Sequence, residues 1–78
     1  MNMNKASLKA PMAVSENMQY YRKKAGLSQK ELAEKLNCPV SVISNCESGY
    51  CTPNVVLAAN LCLILNITFE MLSNAQEE

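Results

Sequence analysis

Apolar positions along this chain recur at helical spacing, and every connection between the apolar stretches is short. Val14, Met18 and Tyr21 follow an i, i+4, i+7 pattern, the stripe of a first helix. Arg22, Lys23 and Lys24 near its end suit the negative end of the helix dipole, and Gly26 supplies the stop. Ser28 and Glu31 form a capping box that opens a second helix, buried through Leu32, Ala33 and Leu36 and closed by Asn37 as a left-handed cap. A third helix spans Val40 to Ser48, with Val42, Ile43 and Cys46 apolar, Pro39 before it and Gly49 after it. Thr52 as N-cap and Pro53 at the first helical position predict a fourth, with Val55, Ala58, Ala59, Leu61, Cys62 and Leu65 on its inner side. Thr68 caps a short fifth helix through Leu72.

The pattern predicts an all-α fold, a compact bundle of five short helices over residues 14–73. Residues 1–13, polar and Met-rich with Pro11 as a helix breaker, read as a flexible N-terminal arm, and 74–78 as a frayed tail. Leu63 and Ile64 widen the apolar surface of the fourth helix beyond one stripe. Together with Phe69 they leave two readings open, a well-filled core or a partner interface.

Seventy-eight residues, 49% of them hydrophobic, allow one domain with one core. No apolar run reaches the ~18 residues that mark a membrane-spanning helix, and no secretory signal is evident at the start, so a cytoplasmic location is expected. Net charge is zero but unevenly spread. All seven basic residues lie at or before Lys35 against three acidic ones, and from Leu36 onward there are four glutamates and no cation. That asymmetry fits one basic and one acidic face, or an ordinary solvated surface.

Four cysteines (Cys38, Cys46, Cys51, Cys62) without a C-x-x-C pair, and no histidine, argue against a zinc site. Core packing is the stronger reading for Cys46 and Cys62. No metal and no cofactor are expected. With no histidine, no aspartate and no paired acid/base constellation, an enzyme is not expected either.

The tight connection Asn37–Pro39 between two helices, with the small Ala33 five residues before Cys38, has the form of a helix-turn-helix. Over residues 14–72 the chain resembles the phage-repressor (Cro-like, XRE) family of helix-turn-helix domains, which implies a lambda-repressor-like DNA-binding fold. Arg22, Gly26-Leu27-Ser28-Gln29, Glu31-Leu32-Ala33, Leu36, Ile43-Ser44, Glu47-Ser48-Gly49, Pro53, Leu61, Leu65, Ile67 and Leu72 carry the resemblance.

It implies a third helix lying in the major groove, with Val40, Ser41, Ser44 and Asn45 toward base edges and Asn45 able to pair bidentately with adenine. Gln29, with Ser28 beside it, would face a phosphate at a helix N-terminus. Lys23, Lys24, Lys30 and Tyr50 are further candidate phosphate contacts, though each lysine is equally an ordinary surface residue. Arg22 and Glu47 would form a structural ion pair between the first and third helices.

The chain departs from that pattern at three places. Pro39 stands where a hydroxyl residue usually caps the third helix, and Cys46 where a larger side chain is common. The third helix carries no Lys or Arg, so electrostatic attraction to DNA must come from the first two helices and the arm. The expected function is a sequence-specific transcriptional regulator, a repressor binding double-stranded DNA as a homodimer on a two-fold operator. The alternative is a helix-turn-helix module that binds a protein partner, as an antitoxin or regulatory subunit would.

Overall fold

A computed structural model describes the backbone of residues 2–74 and the side chains of residues 13–74. Its elements are the helices α1 (Asn2–Lys24), α2 (Gln29–Leu36), α3 (Val40–Glu47), α4 (Val55–Leu65) and α5 (Phe69–Ser73). Helix α2 packs on α3 and α4, α1 on α3 and α5, and α4 on α5. The described residues are all helix and connection, an all-α fold.

Local chemistry sets most boundaries. Ser28 Oγ accepts the Glu31 amide at 3.0 Å while Glu31 Oε1 accepts the Ser28 amide at 2.8 Å, so two of the otherwise unpaired donors at the start of α2 are satisfied. Asn37, at φ 58° in the left-handed region, closes α2, and the Cys38 amide then reaches back to the Ala33 carbonyl at 3.0 Å. Asn66 (φ 57°) closes α4 in the same way. Pro39 starts α3 with no side-chain cap bond.

Two expectations about helix starts are corrected. Helix α1 does not begin at Val14 but at Asn2, with Pro11 inside it. Proline removes one donor from the ladder, and the Ala, Leu, Lys and Met residues around it are strong helix formers. The arm expected over 1–13 and the tail expected over 74–78 fall almost wholly outside the residues with described side chains. Helix α4 starts not after a Thr52 cap but after Asn54, whose Oδ1 accepts the Leu57 amide at 2.8 Å. Pro53 therefore precedes the cap instead of opening the helix.

The core is built by Met18 of α1, Leu32 and Ala33 of α2, Ile43 and Cys46 of α3, Ala58, Leu61 and Leu65 of α4, and Leu72 of α5. Cys46 is buried as expected, and Cys62 is half-buried against the cluster. Val55 and Ala59, expected on the inner side of α4, are exposed. Moving the cap from Thr52 to Asn54 makes Val55 the first residue of the helix, and its side chain points outward.

Candidate nucleic-acid interface

Helix α3 exposes one face and buries the other. Val40, Ser41, Ser44 and Asn45 are exposed, while Ile43, Cys46 and Glu47 are buried. The exposed positions follow i, i+1, i+4, i+5, which places them together on one side of an 8-residue helix. The four candidate base readers thus share one surface of adaptable hydrogen-bonding groups and one aliphatic side chain. Among the described residues that surface carries no cation of its own.

The orientation of α3 is fixed from below. Arg22 Nε donates to Glu47 Oε2 at 2.6 Å and Arg22 Nη2 donates to Glu47 Oε1 at 3.1 Å, a bidentate pair between α1 and α3. Both side chains are almost fully buried. Arg22 Nη1 also donates to the Leu27 carbonyl at 2.8 Å, holding the turn between α1 and α2. Burial pushes the Glu47 carboxyl up, but hydrogen bonds from Arg22, Gln29 and Gln19 and the Arg22 charge outweigh it, and the carboxyl sits below its ordinary value.

Gln29 is the link between α2 and α3. Its Nε2 donates to Glu47 Oε1 at 3.0 Å, so its side chain is held by the buried pair instead of reaching straight outward. Its backbone amide lies at the first position of α2, where the helix dipole is positive. Ser28 beside it spends its oxygen on the cap but keeps its hydroxyl proton.

Of the candidate phosphate contacts, Lys23 and Lys30 are exposed, and Tyr50 projects fully into solvent just past α3. The Tyr50 and Cys51 amides donate to the Asn45 carbonyl at 3.0 and 3.3 Å, closing the end of α3. Lys24 is exposed as well, beside a groove lined by Leu65, Asn66, Ile67 and Met71 at the turn between α4 and α5, its Nζ 5.6 Å from the Tyr20 ring centroid.

Sequence reasoning missed one buried polar residue. Asn17 is fully buried, and its Nδ2 donates to the Leu72 carbonyl at 2.7 Å, the Met71 carbonyl at 3.2 Å and the Asn74 carbonyl. It ties α1 to the end of α5 and satisfies carbonyls that have no partner within that short helix. Its position one residue before the core Met18 was the available hint.

Burial pushes the Cys38 and Cys62 thiols up. The Cys46 thiol is pushed up by burial and then by the nearby Cys51, Cys38 and Glu47. The described residues hold no group of three or more histidine, cysteine or acidic side chains placed to bind a metal, and no helix among them is long and apolar enough to cross a membrane.

A family model described as helix-turn-helix matches residues 18–72, more than half of the chain. No curated protein and no solved structure matches.

Proposed function

The chain belongs to the helix-turn-helix family, whose members are DNA-binding regulators, and from that premise we propose that it is a transcriptional repressor acting as a homodimer on a two-fold operator in the cytoplasm. The observation that carries this reading is the shared exposed face of Val40, Ser41, Ser44 and Asn45 on a helix clamped to α1 by the Arg22–Glu47 pair. Asn45 is the specific reader of an adenine edge, Ser41 and Ser44 donate or accept, and Val40 meets a thymine methyl. The start of α2, with the Gln29 amide and the Ser28 hydroxyl, holds a phosphate, and Lys23, Lys24, Lys30 and Tyr50 add backbone contacts.

A recognition face without a cation makes each half-site weak, since counterion release supplies most non-specific affinity. Two copies on half-sites about one helical turn apart (~34 Å) restore it. Free thiols at all four cysteines fit a reducing compartment.

The neutral face of α3, with Val40 exposed, also favours a second reading, a module whose third helix contacts a protein. Selection from a random duplex pool at two salt concentrations separates the two. Enrichment of a two-fold sequence, weakened by salt and lost in Asn45→Ala, is the expected result. No duplex binding even at ~50 mM salt, where phosphate contacts are strongest, rejects the DNA reading.

A further inference from the structure

Helix α4 is apolar on every side. Ala58, Leu61 and Leu65 are buried in the core, yet the opposite side carries Val55 (77% exposed), Val56 (69%), Leu63 (78%) and Ile64 (38%), with Ala59 also exposed. A helix hydrophobic all round belongs in an interior, and one chain covers only half of this one. The exposed half is interrupted by a single polar side chain, Asn60. No charged residue occurs between Glu47 and Glu70.

We infer that a second copy of this chain docks antiparallel on α4, with the two-fold axis beside Asn60. This deepens the dimeric reading above and rests on it for the second copy. Asn60 is the middle residue of α4, with five residues on either side. Val56, Asn60 and Ile64 stand at i, i+4 and i+8 on one ridge of the helix surface, and a two-fold axis at Asn60 maps that ridge onto itself. Val56 then faces the partner's Ile64, and Asn60 faces the partner's Asn60. The row Ala59–Leu63 runs alongside, and the small Ala59 near the centre lets the helices approach as packed ridges require.

Charge argues for a copy of the same chain over a different protein. A two-fold interface sets residues near the axis against their own duplicates, so any charge there would repel itself. This face has none. The one polar group, a primary amide, is donor and acceptor at once and pairs with its duplicate across the axis. A single buried asparagine is also a device that fixes register and orientation between helices. Roughly 60–120 Å² of apolar surface per fully buried aliphatic side chain gives about 300–400 Å² from each copy, about half of the ~800 Å² per partner of a standard interface and the size of a modest, reversible one.

The register is tested by sedimentation equilibrium without DNA on the wild type, Val56→Glu, Ile64→Lys and an equimolar mixture of the two variants. The wild type is expected to be a dimer. Each variant alone buries an unpaired charge against an aliphatic side chain and associates about 100-fold more weakly or worse, with helix content checked by circular dichroism, since Val56 is exposed in one chain and Ile64 only partly so. The mixture regains the dimer, because the introduced carboxylate meets the introduced ammonium only in the antiparallel register. A monomeric wild type, variants that dimerise like the wild type, or a mixture no tighter than its components each overturn the inference. A dimer of this kind that binds no duplex rejects only the DNA reading. A monomeric chain that still selects a duplex rejects only the α4 interface.

Discussion

Arg22 and Glu47, twenty-five residues apart, meet through two hydrogen bonds on the buried side of α3, and a third from Gln29 brings α2 to the same carboxylate. Three helices thus converge on one side chain. The exposed face of α3 inherits its direction from this buried pair, because Ile43 and Cys46 alone pack non-directionally. Almost fully buried, the pair acts by holding α3 at one angle.

Breaking it from the carboxylate side is expected to be costly. Glu47→Ala leaves the Arg22 guanidinium buried with only the Leu27 carbonyl, and removing one partner of a buried pair typically costs about 3–5 kcal/mol. That is a large fraction of the stability of a domain this size. Urea titration followed by circular dichroism reads the effect. A loss below about 1 kcal/mol, the range of an exposed pair, would mean that solvent reaches the site.

The same carboxylate makes stability depend on acid. Its folded pKa lies below the ordinary value of 4.5, so ionised Glu47 favours the folded state. That contribution is fully present above about pH 4.5 and is lost as pH falls through the folded value. Arg22 stays charged throughout. Thermal midpoints between pH 7 and pH 3 should be flat down to about 4.5 and then drop. In Glu47→Gln the drop should be shallower from a lower start, and an equal drop in both proteins would assign the acid sensitivity to other carboxylates.

Asn17 is expected to matter as much as an apolar core residue. Asn17→Ala strips the donor from the carbonyls of Met71, Leu72 and Asn74 and opens a cavity between α1 and α5. A buried acceptor left unpaired costs about 1–3 kcal/mol. Because α5 is a single short turn, its amides should lose hydrogen-exchange protection before those of α2 and α3. Uniform loss across all helices would show that α5 has no independent opening.

The residues that identify the fold were legible because their roles are local. Ser28 with Glu31, Asn37 and Gly26 each act within one turn of chain, so spacing alone exposes them. The buried side of α3, Ile43 with Cys46, followed from spacing in the same way, whereas Val40, Ser41, Ser44 and Asn45 were singled out by the family resemblance. Asn17 was illegible because its partners lie more than fifty residues away and are backbone carbonyls, which leave no trace in the sequence. The start of α4 was misplaced because Thr52 and Asn54 are both good caps, and only the packed chain path selects between them. Val55 and Ala59 were misplaced for a different reason. An apolar side chain signals burial, and α4 offers apolar side chains in every direction.

The separation of reading from charge gives a contrast between two surface residues. Asn45 lies on the neutral exposed face of α3 and Lys30 on the exposed side of α2. In the proposed complex Asn45→Ala should cost about 1–3 kcal/mol on the selected site and relax discrimination at one base pair, leaving the salt slope unchanged. Lys30→Ala should weaken all duplexes alike and lower the salt slope by about 1. Titrations on the selected site and a scrambled duplex at several salt concentrations measure both. If Asn45→Ala instead weakens all duplexes alike and Lys30→Ala changes nothing, α3 is not the reading element. The neutrality of its face is then better explained by contact with a protein.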